Sequence, residues 1–278
     1  MGKLLNLTKW VAALGSSPQT FLGAAWVKRV LDRVSEPKKR LWALRLLSLS
    51  PHYFFDREDS EYDGLTSDQY LETAFDIGVR SRQIVFDNLL KERLGPQDVV
   101  LDYGSGPGFL AKIIAGNVAR VYACDISEGA IECARVLNSA PNLTYVLAND
   151  EGIASIPDKG IDVIVSFALA QHLSDESLDI VLNNCLKKLK PGGKLIMHVQ
   201  LLEGDWKSEA EWRSDHSVKG KLKLRYGLHC FGRTEDSYIE KVLSQGFEDV
   251  TVTKISNLVS ENFDDIWSQH LLHASKPS

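Results

Sequence analysis

The sequence predicts an α/β protein in which helices cover a mostly parallel sheet, preceded by an all-helical segment. From Asp98 onward, short runs of apolar and β-branched residues alternate with amphipathic helical stretches, which is typical of a parallel sheet with helices on both faces. Before that point, apolar residues recur at intervals of three and four, which favours helices. We therefore predict a helical N-terminal cap at residues 1–91 and a sheet domain at residues 92–278.

The N-terminal cap combines amphipathic helices with positive charge. Its clearest helix places basic residues opposite an apolar face formed by Trp26, Val27, Val30, Leu31 and Val34. Ser35 and Pro37 end this helix, and a second is predicted from about Lys38 to Leu49. Residues 1–50 hold nine basic and two acidic residues, although the whole chain has a net charge of −5. Two alternatives follow: this segment packs on the sheet domain as a lid, or it makes peripheral contact with an anionic membrane.

The remaining elements follow from local signals. Residues 51–64 are rich in turn formers and predict a loop, and residues 67–94 predict one or two helices. An apolar repeat from Leu178 to Leu189 predicts a helix that Pro191 and two glycines end. Residues 201–233 are aromatic but weakly periodic, which indicates an insertion over the sheet edge, and Thr234 begins the next helix. Strands are predicted near residues 99–102, 121–125, 143–148, 161–167, 194–199, 248–255 and 266–274.

Composition excludes several classes of protein. Hydrophobic residues make up 44% and charged residues 25% of the 278 residues, as in ordinary globular proteins. The negative net charge disfavours a nucleic-acid partner. Four scattered cysteines without a C-x-x-C pair disfavour a disulfide framework and a structural zinc site. Because no apolar run reaches the ~18 residues of a membrane span and Lys9 interrupts the opening segment, we expect a cytoplasmic protein.

A glycine-rich loop stands between the first predicted strand and a helix beginning near Phe109. Residues 101–108 read LDYGSGPG. Glycines at positions 104, 106 and 108 allow a tight turn and let a ligand lie against the bare main chain. The alternative is a plain turn from strand to helix.

An acidic residue ends the next predicted strand. Asp125 follows Gly108 by 17 residues, and a carboxylate there can accept hydrogen bonds from both hydroxyls of a ribose that crosses the two strand ends. Ile126 is then placed to pack on an adenine ring. The alternative is that Asp125 only caps the helix beginning near Ser127.

The loop spacing distinguishes between two kinds of nucleotide cofactor. It reads G-x-G-x-G rather than the dinucleotide pattern G-x-G-x-x-G, because Phe109 occupies the position of the third glycine. The sequence here resembles the class I S-adenosylmethionine-dependent methyltransferases, whose first motif is an acidic residue, one residue and then G-x-G-x-G. In this chain the motif is matched by Asp102, Gly104, Gly106 and Gly108.

Other segments extend this resemblance over residues 92–276. Asn149-Asp150 resembles the family's adenine contact, and IDVIVSFALAQHL from Ile161 and LKPGGKLIM from Leu189 resemble its fourth- and fifth-strand motifs. The resemblance implies a Rossmann-like seven-stranded, mostly parallel sheet with an antiparallel last strand. It implies S-adenosylmethionine (SAM) as cofactor and S-adenosylhomocysteine (SAH) as product. The implied cofactor-binding residues are Asp102, Gly104, Ser105, Gly106, Gly108, Asp125, Ile126, Asn149, Asp150 and Phe167.

The resemblance further implies methyl transfer to an oxygen, nitrogen or carbon of a small organic acceptor, such as a natural product, a sugar or a lipid-linked metabolite. We expect no metal, because no acidic cluster of the catechol type is evident. A hydroxyl acceptor would need a general base. The candidates are His172, His198 and His229, and for each the alternative is a structural histidine. Two other functions stay open: a non-catalytic methyltransferase-like binding subunit and a nicotinamide-dependent oxidoreductase.

Overall fold

A computed structural model describes residues 24–50, 62–225, 229–258 and 269–278 of the chain. The described residues form a seven-stranded sheet with helices packed on it, and the predicted fold class is confirmed. The strands are β1 (Val99–Tyr103), β2 (Arg120–Asp125), β3 (Leu143–Leu147), β4 (Ile161–Ser166), β5 (Leu189–Val199), β6 (Glu248–Lys254) and β7 (His270–Ser275).

The strand order in the sheet is β3-β2-β1-β4-β5-β7-β6. Strands β1 to β5 pair in parallel, whereas β7 pairs antiparallel with both β5 and β6. The order of the parallel strands reverses between β1 and β4. In open α/β sheets, ligands bind in the crevice outside the carboxyl ends of the strands at such a reversal.

Helices and short turns connect the strands. The α-helices are α1 (Ala24–Arg33), α2 (Glu36–Ser48), α3 (Ser67–Val85), α4 (Phe109–Ala115), α5 (Glu128–Leu137), α6 (Asp150–Ser155), α7 (Asp175–Lys188), α8 (Glu209–Ser214), α9 (Val218–Arg225) and α10 (Glu235–Ser244). A π-helical turn (Phe86–Leu90) and a 3-10 turn (Lys91–Arg93) extend α3. Thr66 begins α3 with a capping box, in which its side chain and that of Gln69 each accept a hydrogen bond from the other's backbone N–H.

Several boundaries differ from the prediction. Strand β5 begins at Leu189 rather than near residue 194, because Leu189 pairs with Ile161 before the register shifts. Pro191 and the following glycines therefore lie inside β5 and do not end helix α7. The weakly periodic insertion contains the two short helices α8 and α9. The predicted loop at 51–64 falls largely outside the described residues, as does the predicted start of the last strand at residue 266.

The first two helices pack on the sheet domain. Val27 and Leu31 of α1 and Leu44 of α2 are buried in one apolar cluster with Ala130 and Cys133 of α5. Trp26, predicted on the apolar face, is instead 39% exposed at its margin. The apolar face is therefore covered by the sheet domain, as the first of the two alternatives requires.

Basic residues of α2 face acidic residues of α3. Arg40 forms an ion pair with Glu72, and Arg45 binds both carboxylate oxygens of Asp68. These four side chains are largely exposed, so the pairs add little stability. In the part of the chain that the structure describes, no helix is both long and apolar enough to cross a membrane.

Candidate active site

The glycine loop joins β1 to α4 in a left-handed backbone conformation at three positions. The φ angles of Gly104, Gly106 and Gly108 are 83°, 52° and 79°. A Cβ on Gly108 would lie 2.0 Å from the hydroxyl of Tyr145, and one on Gly104 would lie 2.9 Å from Leu169. Glycine is therefore required both by the backbone angles and by close neighbours.

Hydrogen bonds from three other elements hold the loop in place. The backbone N–H groups of Gly104 and Ser105 donate to the carbonyl of Cys124, at 2.8 and 2.9 Å. The Asn138 amide donates to the carbonyl of Pro107 at 2.8 Å, and the Tyr145 hydroxyl donates to the carbonyl of Asn138 at 2.9 Å. Sequence reasoning did not identify Asn138 or Tyr145, since no local pattern connects them to the loop.

Asp125 lies at the carboxyl end of β2, beside the loop. Its two carboxylate oxygens accept hydrogen bonds from the backbone N–H groups of Gly106 and Ser127, each at 2.8 Å. The cap of α5 is the side chain of Ser127, which accepts from Ala130 N–H. The interpretation of Asp125 as the cap of this helix is therefore wrong. Each Asp125 oxygen keeps a lone pair for a further donor.

Two properties of the surroundings of Asp125 bear on its predicted role. Burial raises the pKa of its carboxyl group, although the hydrogen bonds from the backbone of Ser127 and Gly106 oppose the shift. The neighbouring Ile126 side chain is 56% exposed. An apolar ring stacked on Ile126 would remove this surface from water.

Asp102 near the end of β1 is a buried carboxyl group. It is 2% exposed, and burial raises its pKa to about 7, against the opposing attraction of Arg82. Among the described residues, no hydrogen-bond partner reaches its Oδ2 atom or the buried Oγ of Ser105. Two polar oxygens at the start of the loop are thus buried without a hydrogen bond, which costs free energy as long as no ligand supplies a donor.

Arg82 brings a cation from α3 to the same place. Burial lowers its pKa to about 10, while the charge of Asp102 acts in the opposite direction. Its charge also contributes to lowering the pKa of His198. Sequence reasoning predicted the helix but missed this residue, because the helical pattern does not show which side chain faces the glycine loop.

The other predicted cofactor residues lie at the neighbouring strand ends. Asn149 follows β3 and begins α6, where its side-chain oxygen accepts from Gly152 N–H at 2.7 Å. Asn149 and Asp150 are both exposed. Phe167 follows β4, is 7% exposed and stacks on His198 with ring centroids 5.9 Å apart.

The three candidate histidines occupy two different environments. His172 lies in a 3-10 turn after β4, and its Nδ1 is 2.9 Å from the carbonyl oxygen of His229. The His229 ring packs 4.3 Å from that of Phe231, and burial lowers its pKa. His198 is 2% exposed on β5, and burial lowers its pKa to about 4. The structure thus brings His172 and His229 together and leaves His198 in the interior.

The insertion supplies aromatic and basic side chains next to His229. The Trp212 indole N–H donates to the carbonyl of Cys230 at 2.8 Å, and the Lys207 and Lys223 amino groups lie 5.1 and 5.6 Å from the Trp212 ring centre. Within the described ranges, no group of three or more His, Cys, Asp or Glu side chains is arranged to hold a metal ion.

Comparisons with known proteins agree with this geometry. A family described as a methyltransferase domain matches residues 101–197. A ubiquinone biosynthesis O-methyltransferase from Thiobacillus denitrificans is 34% identical over 96 residues, which cover 34% of this chain and 40% of that relative. The chain therefore spans less than half the length of this curated relative.

Two solved structures show the same fold. Human N-acetylserotonin methyltransferase in complex with SAM aligns with a TM-score of 0.50 and 17% identity over 88% of this chain and 57% of that chain. Phosphoethanolamine N-methyltransferase 2 from Haemonchus contortus, in complex with SAM, aligns with a TM-score of 0.50 and 18% identity over 78% and 61%.

The glycine loop after β1 and the acidic residue after β2, at the point where the strand order reverses, define the class of nucleoside-binding α/β proteins. Three features distinguish the chain from the dinucleotide-binding members of this class: the short G-x-G-x-G loop, the antiparallel strand β7 and the match to a methyltransferase domain. Residues 101–197 carry a methyltransferase domain, and the sheet has the fold of S-adenosylmethionine-dependent methyltransferases.

Proposed function

We propose that this protein transfers the methyl group of SAM to a hydroxyl oxygen of a small organic acceptor. The acceptor oxygen attacks the methyl carbon, the bond from carbon to sulfur breaks, and its electron pair stays on sulfur. The products are the methyl ether, SAH and the proton that the hydroxyl gives up. Such in-line displacement depends mainly on alignment of the reactants in a site from which water is excluded.

The observation that carries this proposal is the pair of carboxyl groups beside the glycine loop. Asp125 has lone pairs open to two ribose hydroxyls, and the Asp102 Oδ2 atom is buried with no partner among the described residues. We assign Asp102 and Ser105 to the amino group of the methionine half and Arg82 to its carboxylate. Opposite charges then meet at each end of the amino acid.

The adenine end of the cofactor is assigned to the neighbouring strand ends. Ile126 would cover one face of the ring, since its side chain is exposed next to Asp125. Asp150 is exposed at the start of α6 and is able to accept from the adenine amino group. Asn149 contributes chiefly its backbone, because its side chain already caps α6.

On the acceptor side, we assign the general base to His172. A hydrogen bond to the carbonyl of His229 puts the proton on Nδ1 and leaves Nε2 as a proton acceptor. His198 is less suited to this role, because a pKa of about 4 makes it a weak base. The relatives that are named as O-methyltransferases support oxygen as the accepting atom.

The test is transfer of a labelled methyl group from SAM to a set of phenols and catechols. We expect at least one of these acceptors to gain label and an equal amount of SAH to form. The matched pair His172→Gln and His216→Gln compares the assigned base, in the turn after β4, with a histidine of the insertion. Only the first should reduce turnover, by about 10²-fold or more.

Other outcomes identify the alternatives. SAH binding without transfer to any member of the set, together with restored activity on adding a partner protein, would favour a binding subunit. Binding of NAD in place of SAH would favour an oxidoreductase, although the loop lacks the third glycine of the dinucleotide pattern.

A further inference from the structure

The segment that carries His172 is tied to the far end of the insertion. We call residues 170–175 the His172 turn and residues 229–233 the return arm. Phe231 N–H donates to the carbonyl of Gln171 at 2.6 Å, and His172 Nδ1 meets the carbonyl of His229 at 2.9 Å. These two contacts join segments that lie almost sixty positions apart in the sequence.

Arg233, the last residue of the return arm, makes the most contacts with the His172 turn. Its guanidinium donates from Nη1 to the carbonyl of Ala170 at 3.2 Å and from Nη2 to that of Leu173 at 2.6 Å. Its Nε donates to the carboxylate of Asp175 at 2.7 Å. The Arg233 side chain is only 5% exposed, whereas that of Asp175 is 57% exposed. Loss of the two carbonyl contacts would therefore cost more than loss of the contact with Asp175.

The contacts of Arg233 surround His172 on both sides in sequence. Ala170 lies two residues before the histidine and Leu173 one residue after it, and both carbonyls point at one planar group. A single rigid guanidinium therefore fixes the ends of the 3-10 turn relative to each other. Lysine has no such fork, because its ammonium is a compact charge that cannot reach three acceptors in fixed directions.

A second carboxylate supports the same junction from the insertion. Glu209 at the start of α8 accepts the backbone N–H of Asp175 at 2.7 Å. The first residue of α7 is thus held by the insertion through its N–H and by Arg233 through its side chain. These contacts make the His172 turn and the insertion one connected unit above the sheet.

We propose that Arg233 is the positioning residue that holds His172 in a fixed position against the insertion. The inference rests on the proposed function for its catalytic meaning, since His172 is the assigned base. The structural part of the inference is that Arg233 fixes the return arm to the His172 turn, and this part depends only on the contacts described above. We call this set of contacts the latch. In this proposal Arg233 acts through the backbone that carries His172.

The test compares three variants of the protein. Arg233→Lys keeps the charge but loses the fork. Asp175→Asn weakens the Nε contact and the 4.0 Å ion pair with Lys241, but leaves both carbonyl contacts of Arg233 in place. Arg120→Lys is the matched control, because Arg120 also lies over a tyrosine ring, 5.1 Å from that of Tyr122, but on an exposed strand end remote from the turn. Arg233 lies 5.7 Å from the ring of Tyr238 in the same way.

Amide hydrogen exchange, measured by mass spectrometry, tests the latch in the absence of any acceptor. In Arg233→Lys, we expect amide exchange in residues 168–175 and 229–233 to become about tenfold faster or more. In Asp175→Asn, the increase in the same segments should be smaller. Exchange in the strands and in Arg120→Lys should be unchanged. Exchange unchanged in both segments, or faster evenly over the whole chain, would overturn the latch.

Turnover measurements test the catalytic consequence of the latch. With a catechol that the parent methylates, Arg233→Lys should lower kcat about tenfold or more, while the Kd for SAH stays within twofold of the parent. If Arg233→Lys lowered the affinity for SAH by the same factor as kcat, the positioning role would be overturned. If the parent methylates no acceptor, the proposed function fails, whereas the exchange experiment still decides the latch.

Discussion

Replacement of Asp102 by asparagine tests the electrostatic account of the site most fully. The pKa of this buried carboxyl group is raised to about 7 from 3.8, and roughly 3 pKa units correspond to an upper limit of about 4 kcal/mol. Ionisation of Asp102 therefore lowers the free energy of unfolding of the protein. Because relaxation and water penetration reduce such penalties, we expect Asp102→Asn to stabilise the ligand-free protein by about 2 kcal/mol at pH 8.

The sign of the pH dependence follows from the direction of the shift. A carboxyl group with a raised folded-state pKa costs no stability below its unfolded value near pH 4, and the cost grows until pH 7 and is constant above it. Thermal unfolding at pH 5 and pH 8 should thus show a larger gain at pH 8, about 4–8 °C for a chain of this size. The exposed Asp205→Asn is the control and should change neither value.

The same variant should bind the cofactor less well. Loss of a charge-assisted contact to the amino group costs about 1.5–3 kcal/mol, which calorimetry with SAH measures. In the parent, the affinity for SAH should fall by up to tenfold per pH unit below pH 7, and Asp102→Asn should remove this dependence. A variant that is destabilised equally at pH 5 and pH 8, with unchanged SAH affinity, would refute the reasoning.

Three further predictions concern the loop, the ribose site and the N-terminal helices. Asp125→Ala should weaken SAH binding by ~1.5–3 kcal/mol with the fold intact; equal affinity in calorimetry would remove Asp125 from the ribose role. Gly106→Val should abolish SAH binding with only a modest fall in melting temperature, since a left-handed φ of 52° costs a side chain about 1–2 kcal/mol; a variant that still binds would contradict the glycine-loop argument. Because the apolar face of α1 is buried on α5, we expect no co-sedimentation with anionic vesicles at low salt, whereas binding that high salt reverses would support membrane contact.

Local patterns were enough to predict the parts of the site that depend on the backbone. Gly104, Gly106 and Gly108 need left-handed angles, and such a requirement restricts the residue type wherever the rest of the chain lies. Asp125 was predictable because parallel strands end at one edge of the sheet, so spacing along the chain becomes proximity in space. Only the structure could exclude its role as a helix cap, by showing that Ser127 takes that place.

The residues that sequence reasoning missed act through contacts between distant segments. The charge of Arg82 acts on Asp102 because α3 packs against the start of α4, where the rings of Phe75 and Phe109 lie 5.0 Å apart. A helical pattern does not specify that packing. Tyr145 supports the loop from β3, where it resembles any other aromatic residue of a strand. Arg233 lies in an insertion of weak periodicity, so its three acceptors became evident only from the folded chain.

Calorimetric titration of the parent protein with SAH, beside a titration with NAD, tests the central claim most directly. The account predicts saturable binding of one SAH per chain, and no heat of binding with NAD. The loop, Asp102 and Asp125 would then have the ligand that their open hydrogen-bonding groups require. Absence of SAH binding at neutral pH by a folded protein, or saturable binding of NAD, would contradict the assignment of this site to SAM.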